Sequence, residues 1–564
     1  MTRSLVRGVL CLFFLLFVAA PMTNLALTVF MPKPPPILDH VARLDLTSLV
    51  EEAAEKGSFR ALRDLGQIRR YRRAAVNTLW LSFLVATLCC VLALPLSLGF
   101  ARRLLSSRSP VGTVVLMPLA LHSYLFAFSI ILIFGKQGLC ERFLGFSPVD
   151  PFSVTGLVIT QTVAFLPLAI LAQAPSLALY SSGWTAVSRT MGAPWSFYLR
   201  HIWLPLNLRG ILAGWLLVAI RSASDFVSPM LLTSTRFRLL VLEAWRDLAG
   251  SNWWPGAAAL SMEILVICGF FMLIERTLSG RAYAQIDAGD PGNLEAGSRR
   301  GTWLLRAYTA LMMALPFFCM LTIIGFSVGG LSNTGFSFAH YQEVADDLFK
   351  GLTVSLTLGA AVTGFCLLAA LAIAPVDSRR AGPAKRWVLF WAQAAFAIPS
   401  TIYAIGLVSV FNRPPLFLHF TPALLIAALA ATRMNYALNI MGASWDALGS
   451  DWNDRASASG ASALFAFRWA TFPFLRGAMA SGAALIFISA LQDVAISILI
   501  APPRFYPLSL VMTRNIADGL FGTASALAVS LMLVLTVPLF LSLNLLSSAG
   551  LFERGHHDQR HPAG

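Results

Sequence analysis

The stretch 192-GAPWSFYLRHIWLPLNLRGILAGWLLVAIRSASDF-226 runs from a polar, aromatic-studded segment through Leu204-Pro205 into an apolar run, and 460-GASALFAFRWATFPFLRGAMASGAALIFISALQDV-494 makes the same passage. In one ungapped register Gly192 falls on Gly460, Arg200 on Arg468, Pro205 on Pro473, Gly214 on Gly482 and Asp225 on Asp493. A second match lies upstream in a different register: 119-LALHSYLFAFSIILIF-134 against 396-FAIPSTIYAIGLVSVF-411. Chance produces one such coincidence but not the set. The chain therefore reads as two homologous halves.

The apolar runs fix the solvent of those halves. Of 564 residues, 57% are hydrophobic and only 12% charged, a charge fraction about half that of a soluble domain. The apolar residues come in runs of about 20 or more, long enough to cross a bilayer as helices, and not in amphipathic stripes. The sequence predicts an all-α polytopic membrane protein with twelve spans. Six lie near 8–31, 76–101, 111–134, 153–178, 209–232 and 256–275. Six more lie near 304–328, 350–375, 387–411, 421–442, 477–500 and 521–546. Prolines inside spans, such as Pro118, Pro167, Pro316 and Pro399, are tolerated in membrane helices when neighbours satisfy the freed carbonyls.

The net charge of +15 sits mostly in short breaks between spans, as in the cytoplasmic loops of membrane proteins. That distribution argues against nucleic acid as the partner. The positive-inside rule puts both termini in the cytoplasm. Residues 32–75 break the rule: they hold nine Lys/Arg and end in Arg69-Arg70-Tyr71-Arg72-Arg73. The stretch 46–73 reads as a helix lying along the outer surface. The apolar run Val6–Phe30 exceeds a signal-peptide core and reads as an uncleaved anchor. Domain bounds follow: a first half at 1–276, a Gly-rich cytoplasmic linker at 277–303, a second half at 304–550 and a polar tail at 551–564.

The two largest cytoplasmic loops, about 179–208 and 443–476, carry a recurrent spacing. In 186-AVSRTMG-192 with 202-IWLP-205, and in 454-DRASASG-460 with 470-ATFP-473, the distance from Gly to Pro is kept. These segments resemble the EAA motif of ABC importer permeases, although the acidic-Ala-Ala start is degraded in both. The resemblance implies that Arg189, Gly192, Arg200, Leu204, Pro205, Asp454, Arg455, Gly460, Arg468 and Pro473 form ATPase-coupling loops. Glycine suits a turn that needs positive φ, and proline suits the first turn of the helix re-entering the membrane. Lone Gly and Pro residues usually only punctuate loops; the repeated spacing at repeated topological positions argues for more.

Chemistry of the enzymatic kind finds no motif. No Gly-x-x-x-x-Gly-Lys-Ser/Thr occurs, so no P-loop is expected; Lys136 in 135-GKQG-138 lacks the upstream glycine. The seven cysteines have no metal-ligand spacing and read as small core residues. His556, His557 and His561 lie in the polar tail. No cofactor and no bound metal are expected.

Ionisable residues within spans are the default functional candidates. Asp225 and Asp493 each lie about 16 residues into the fifth span of their half, roughly 24 Å up at helical rise. Both could line a central pathway. Arg221, four residues before Asp225, can instead neutralise it. Asp493 has Ser489 in that place, so it has no such local partner. Alternatively both aspartates are hydrated at the outer interface. His122, Ser123 and Tyr124, with Pro399, Ser400 and Tyr403, interrupt the third span of each half as lining or as interhelical glue; Glu263 is equally open.

Fused two-half permeases of this layout resemble the ferric-iron, thiamine and 2-aminoethylphosphonate importers. The segments 222-SASDFVSPMLL-232 and 489-SALQDVAISILI-500 look like the corresponding spans of the iron group. The resemblance implies an alternating-access permease of the bacterial inner membrane, without its own ATPase site. Its partners would be two ATP-binding subunits, a periplasmic solute-binding protein and membrane lipid, with ferric iron as the favoured substrate. Thiamine or 2-aminoethylphosphonate transport is the alternative, and a secondary transporter a more distant one.

Overall fold

The computed structural model describes residues 2–31, 33–38, 58–101, 121–136, 138–178, 187–188, 190–233, 237–279, 299–329, 336–373, 383–448, 459–460 and 462–548. Among them every regular element is helical. In chain order, α1 (Thr2–Phe14) and α2 (Ala20–Thr28) are joined by a π-helical turn, and α3 (Arg60–Gln67) precedes α4 (Arg69–Ala101). Then come α5 (Ser123–Phe134), α6 (Val154–Ala178), α7 (Leu204–Ser224), α8 (Val227–Leu232), α9 (Leu240–Ala249) and α10 (Trp254–Ser279). The later residues give α11 (Arg299–Ser327), α12 (Ala345–Ile373), α13 (Pro383–Ala397), α14 (Ser400–Phe411) and α15 (Pro422–Leu448). The last are α16 (Phe472–Leu491), α17 (Ser497–Ile500), α18 (Leu508–Ala517) and α19 (Phe521–Ser548).

Among the described residues ten helices are long and apolar enough to cross a membrane, and twelve spans result if each of two bent pairs counts as one. The chain is thus a multi-pass α-helical membrane protein with the span number expected from its apolar runs. Its spans are less regular than those runs suggest. The predicted span 387–411 is broken between α13 and α14 with a 112° bend. Pro399 explains the break: its ring excludes the preceding residue from helical geometry and removes a donor. The fifth span of each half also stops early, at Ser224 and at Leu491. Short helices α8 and α17 follow the two breaks, and amphipathic helices α9 and α18 follow those. Neither α9 nor α18 is long enough to register as a span.

Packing divides the chain into two compact units that do not follow chain order. One unit comprises 58–340 with 516–526; the other comprises 1–57, 341–515 and 527–564. In the first unit α4, α6 and α7 pack on one another and α11 packs on α5, with the Tyr308 hydroxyl donating to the Leu92 carbonyl at 2.9 Å. In the second unit α12, α15 and α16 form the corresponding trio, and α1 and α2 pack on α13 and α14. Asn24 there donates to the carbonyl and hydroxyl of Ser409, each at 3.1 Å. One link recurs in both units. The backbone N–H of Leu240 donates to the Thr78 hydroxyl at 3.1 Å, and that of Leu508 to the Ser355 hydroxyl at 2.8 Å.

In the first unit α9 buries two carboxylates, Glu243 and Asp247. Arg238 and Arg246 hold Glu243 at 3.1 and 2.8 Å. Arg70 and Tyr71 hold Asp247 at 2.9 and 2.6 Å. One arginine of the basic run 69–73 is therefore tied to a buried carboxylate. The same positions of α18, Val511 and Asn515, carry no acid.

Candidate coupling elbows and buried aspartates

Each re-entry into the fifth span is built the same way. Gly192 has φ +70° and Gly460 φ +73°, the left-handed region that L side chains avoid. A Cβ at either position would meet nothing within 4 Å, so conformation and not space demands glycine. A short helix follows, Trp195–Tyr198 or Ala463–Ala466, then a π-helical turn, Leu199–Trp203 or Phe467–Thr471. The next helix, α7 or α16, carries its proline within its first two positions. A proline there cannot donate to the preceding turn, and in both copies it stands just after the π-helical turn. The wide π turn accommodates the change of direction, which reaches 71° between 196–203 and 207–224.

The elbows are apolar on the outside. Met191 is 82% exposed, Phe197 49%, Phe465 58% and Trp469 66%. Phe197 stacks on His201 at 4.3 Å between ring centroids, and Phe465 pairs with Trp469 at 6.3 Å. Both pairs have i,i+4 spacing, which puts each on one helix face. Arg200, Arg468, Leu204, Pro205 and Pro473 are exposed as well. The predicted loop residues Arg189, Asp454 and Arg455 lie outside the described residues.

At the other end of α7 the chain leaves the helix at Asp225, whose ψ is 120°. The buried carboxylate turns inward. It accepts from the Ser123 hydroxyl at 3.2 Å and from the Gln161 amide at 3.1 Å. Ser222 fixes that amide by donating to its oxygen at 2.7 Å. His122 Nδ1 lies 3.2 Å from the Ser123 oxygen. The fold thus joins His122 to Asp225 through Ser123. Arg221 stays exposed; the helix ends between it and Asp225, so the expected i,i+4 pair gives way to neutral donors.

Asp493 is held differently, by a partner from another helix. Arg433 of α15 reaches its Oδ2 at 2.5 Å. The Arg433 Nε donates to Ser489 Oγ at 3.2 Å, so the residue standing where Arg221 does serves to orient the arginine. The other carboxylate oxygen accepts the backbone N–H groups of Ile496 and Ser497 at 2.8 and 3.4 Å, capping the first turn of α17. Arg433 escaped the sequence reading, although an arginine within the apolar run 421–442 is itself a signal. Tyr403 is fully buried and its hydroxyl donates to the Phe17 carbonyl at 2.7 Å. It ties α14 to the π turn of the first span instead of joining the aspartates. Among the described residues no group of three His, Cys, Asp or Glu side chains could hold a metal ion.

Removing one donor of a buried carboxylate strands the other partner's charge. Gln161→Leu is expected to destabilise the protein by about 1–3 kcal/mol, read as a lowered midpoint of thermal unfolding in detergent. Arg221→Gln is expected to leave that midpoint unchanged.

No family model matches the chain. Curated relatives do. The ferric transport system permease FbpB of Actinobacillus pleuropneumoniae is 20% identical over 485 residues, 82% of this chain and 69% of the relative. The molybdenum transport system permease ModB of Mycobacterium tuberculosis is 29% identical over 193 residues, 33% of this chain and 71% of the relative. PhnV of Salmonella typhimurium, named for 2-aminoethylphosphonate transport, is 24% identical over 249 residues, 42% of this chain and 94% of the relative. Repeated spans, twin elbows and these matches define a class, the permease component of ABC importers. Among such proteins, this chain resembles the fused two-half permeases of the ferric-iron and 2-aminoethylphosphonate group.

Proposed function

We propose that the chain is the membrane-spanning subunit of an ATP-driven importer in the bacterial inner membrane, with both termini in the cytoplasm and ferric iron as substrate. The observation carrying this reading is the duplicated elbow: a positive-φ glycine, a short helix with an exposed aromatic face, a π turn and a proline restart. Such a helix suits a groove on a partner. A motor protein pushing there would move α7 and α16 as rigid bodies. The sequence has no P-loop, so separate subunits supply ATP hydrolysis, and a periplasmic solute-binding protein delivers the substrate. Iron is favoured because the ferric permease relative aligns over 82% of the chain, across both halves, whereas the phosphonate relative aligns with 42%.

A secondary carrier would need an uncompensated buried charge for ion coupling, and the pairing of Asp493 with Arg433 speaks against Asp493 in that role. Affinity purification of the tagged chain from its native membrane tests the assignment. A nucleotide-binding subunit is expected to co-purify at two copies per permease, and its absence under mild detergent would count against the importer reading. Radioiron uptake by cells carrying and lacking the gene, with thiamine and 2-aminoethylphosphonate as competitors, tests the substrate.

A further inference from the structure

The basic run 69–73 opens α4, and its arginines do not share one fate. Arg70 is committed to Asp247. Arg69, Arg72 and Arg73 are exposed, and among the described residues no carboxylate pairs with them. Their place on the helix decides what they meet. Val76, Trp80, Phe83 and Val91 of α4 are each half or more exposed. At 100° per residue positions 69, 72, 73, 76, 80, 83 and 91 fall within about 100° of one another, so they share one face. In a membrane-spanning helix an exposed apolar face meets acyl chains. The three arginines therefore crown a lipid-facing stripe, about two to three turns above Trp80, the side chain suited to the interface.

The neighbouring α3 repeats the arrangement. It packs on α4 and α10 with Ala61 buried, and turns Phe59, Leu62 and Arg63 outward. Cations beside exposed apolar side chains are the composition of an interfacial segment. Thr78 of the first half and Ser355 of the second make the same link, and in that register Arg69 and Arg70 correspond in sequence to Asp346 and Asp347. The basic crown is thus a property of α4 and not of the repeat.

We infer that Arg69, Arg72 and Arg73, with Arg63 beside them, bind the phosphate headgroup of an anionic phospholipid whose acyl chains lie along Val76, Trp80 and Phe83. Guanidinium forks match phosphate oxygens, and the apolar stripe beneath selects a lipid over a free anion. The site also accounts for a basic cluster where the loop-charge rule expects few basic residues.

The full chain in vesicles with brominated acyl chains provides the test. Quenching of Trp80, isolated as the difference between the protein and its Trp80→Phe variant, is compared for brominated phosphatidylglycerol and phosphatidylcholine. A preference for phosphatidylglycerol of about fivefold or more is expected, since a basic residue near an anionic surface contributes roughly that factor. Arg69→Gln/Arg72→Gln/Arg73→Gln is expected to bring the ratio near one, and Arg63→Gln to lower it partway. Asp346→Asn/Asp347→Asn is expected to leave it unchanged. Equal quenching by both lipids, as for a patch that docks an acidic protein, overturns the inference. So does a preference that survives the triple variant, or one that inorganic phosphate abolishes at constant ionic strength.

Discussion

Arg433→Met is expected to lower the stability of the protein by about 3–5 kcal/mol, whereas Arg433→Met/Asp493→Leu recovers most of that loss. The asymmetry follows from burial. The side chains of Arg433 and Asp493 are only 10% and 4% exposed. Removing the guanidinium leaves a carboxylate in a low-dielectric site with two backbone N–H groups as its remaining donors. Removing both charges leaves apolar side chains of similar bulk, a change that is often neutral or stabilising. Thermal unfolding in detergent, followed by loss of monodisperse protein, reads both variants. If the double variant falls as far as the single one, the pair is not the charge-balanced unit described here. The double variant also separates two roles. A pair that only holds α15 to the end of α16 leaves uptake near the level of the parent once stability is restored. A pair that opens during the cycle leaves a stable protein that does not transport.

Some of this arrangement is written locally and some is not. The spans are legible because lipid demands about 20 apolar residues in a row. The glycine turns are legible because only one residue type takes positive φ without cost. The breaks in the third and fifth spans are half legible. Pro399 marks one, but at Asp225 and Asp493 no helix breaker announces the end of α7 or α16. There the carboxylates themselves draw the chain away, toward Ser123 and Gln161 in one case and the N-terminus of α17 in the other. Partners contributed by other helices are not legible from spacing. Arg433 lies 60 residues from Asp493 and Gln161 lies 64 from Asp225. Periodicity cannot say which faces meet. A reading confined to one helix therefore offers Asp225 only Arg221 as a partner and Asp493 no local one. The packing of α1 and α2 with the second-half helices is invisible for the same reason, since hydropathy reports that a helix is buried but not beside what.

Gly192→Val/Gly460→Val is expected to abolish ATP-coupled uptake, to a tenth of the parent rate or less, while leaving the unfolding midpoint within about a degree or two of the parent. The two halves of that expectation have one cause. No atom lies within 4 Å of a Cβ at either position, so a β-carbon meets no neighbour and the helix bundle is expected to stay intact. What valine cannot do is hold φ near +70°; the left-handed conformation costs an L residue about 1–2 kcal/mol, more when it is β-branched. The chain escapes that cost by opening the turn, which frees Trp195–Tyr198 and Ala463–Ala466 from the chain on their N-terminal side. A partner docked on Phe197, Phe465 and Trp469 then pushes on a helix that no longer transmits. Asparagine, which tolerates the left-handed region, supplies the discriminating control. Gly192→Asn/Gly460→Asn adds a larger side chain than alanine yet is expected to keep most of the uptake, with Gly192→Ala/Gly460→Ala between the two. A ranking by side-chain size instead of by tolerance of positive φ would mean that the elbows matter for the surface they present and not for the angle they hold. Uptake by the valine variant at the parent rate would remove the coupling role altogether.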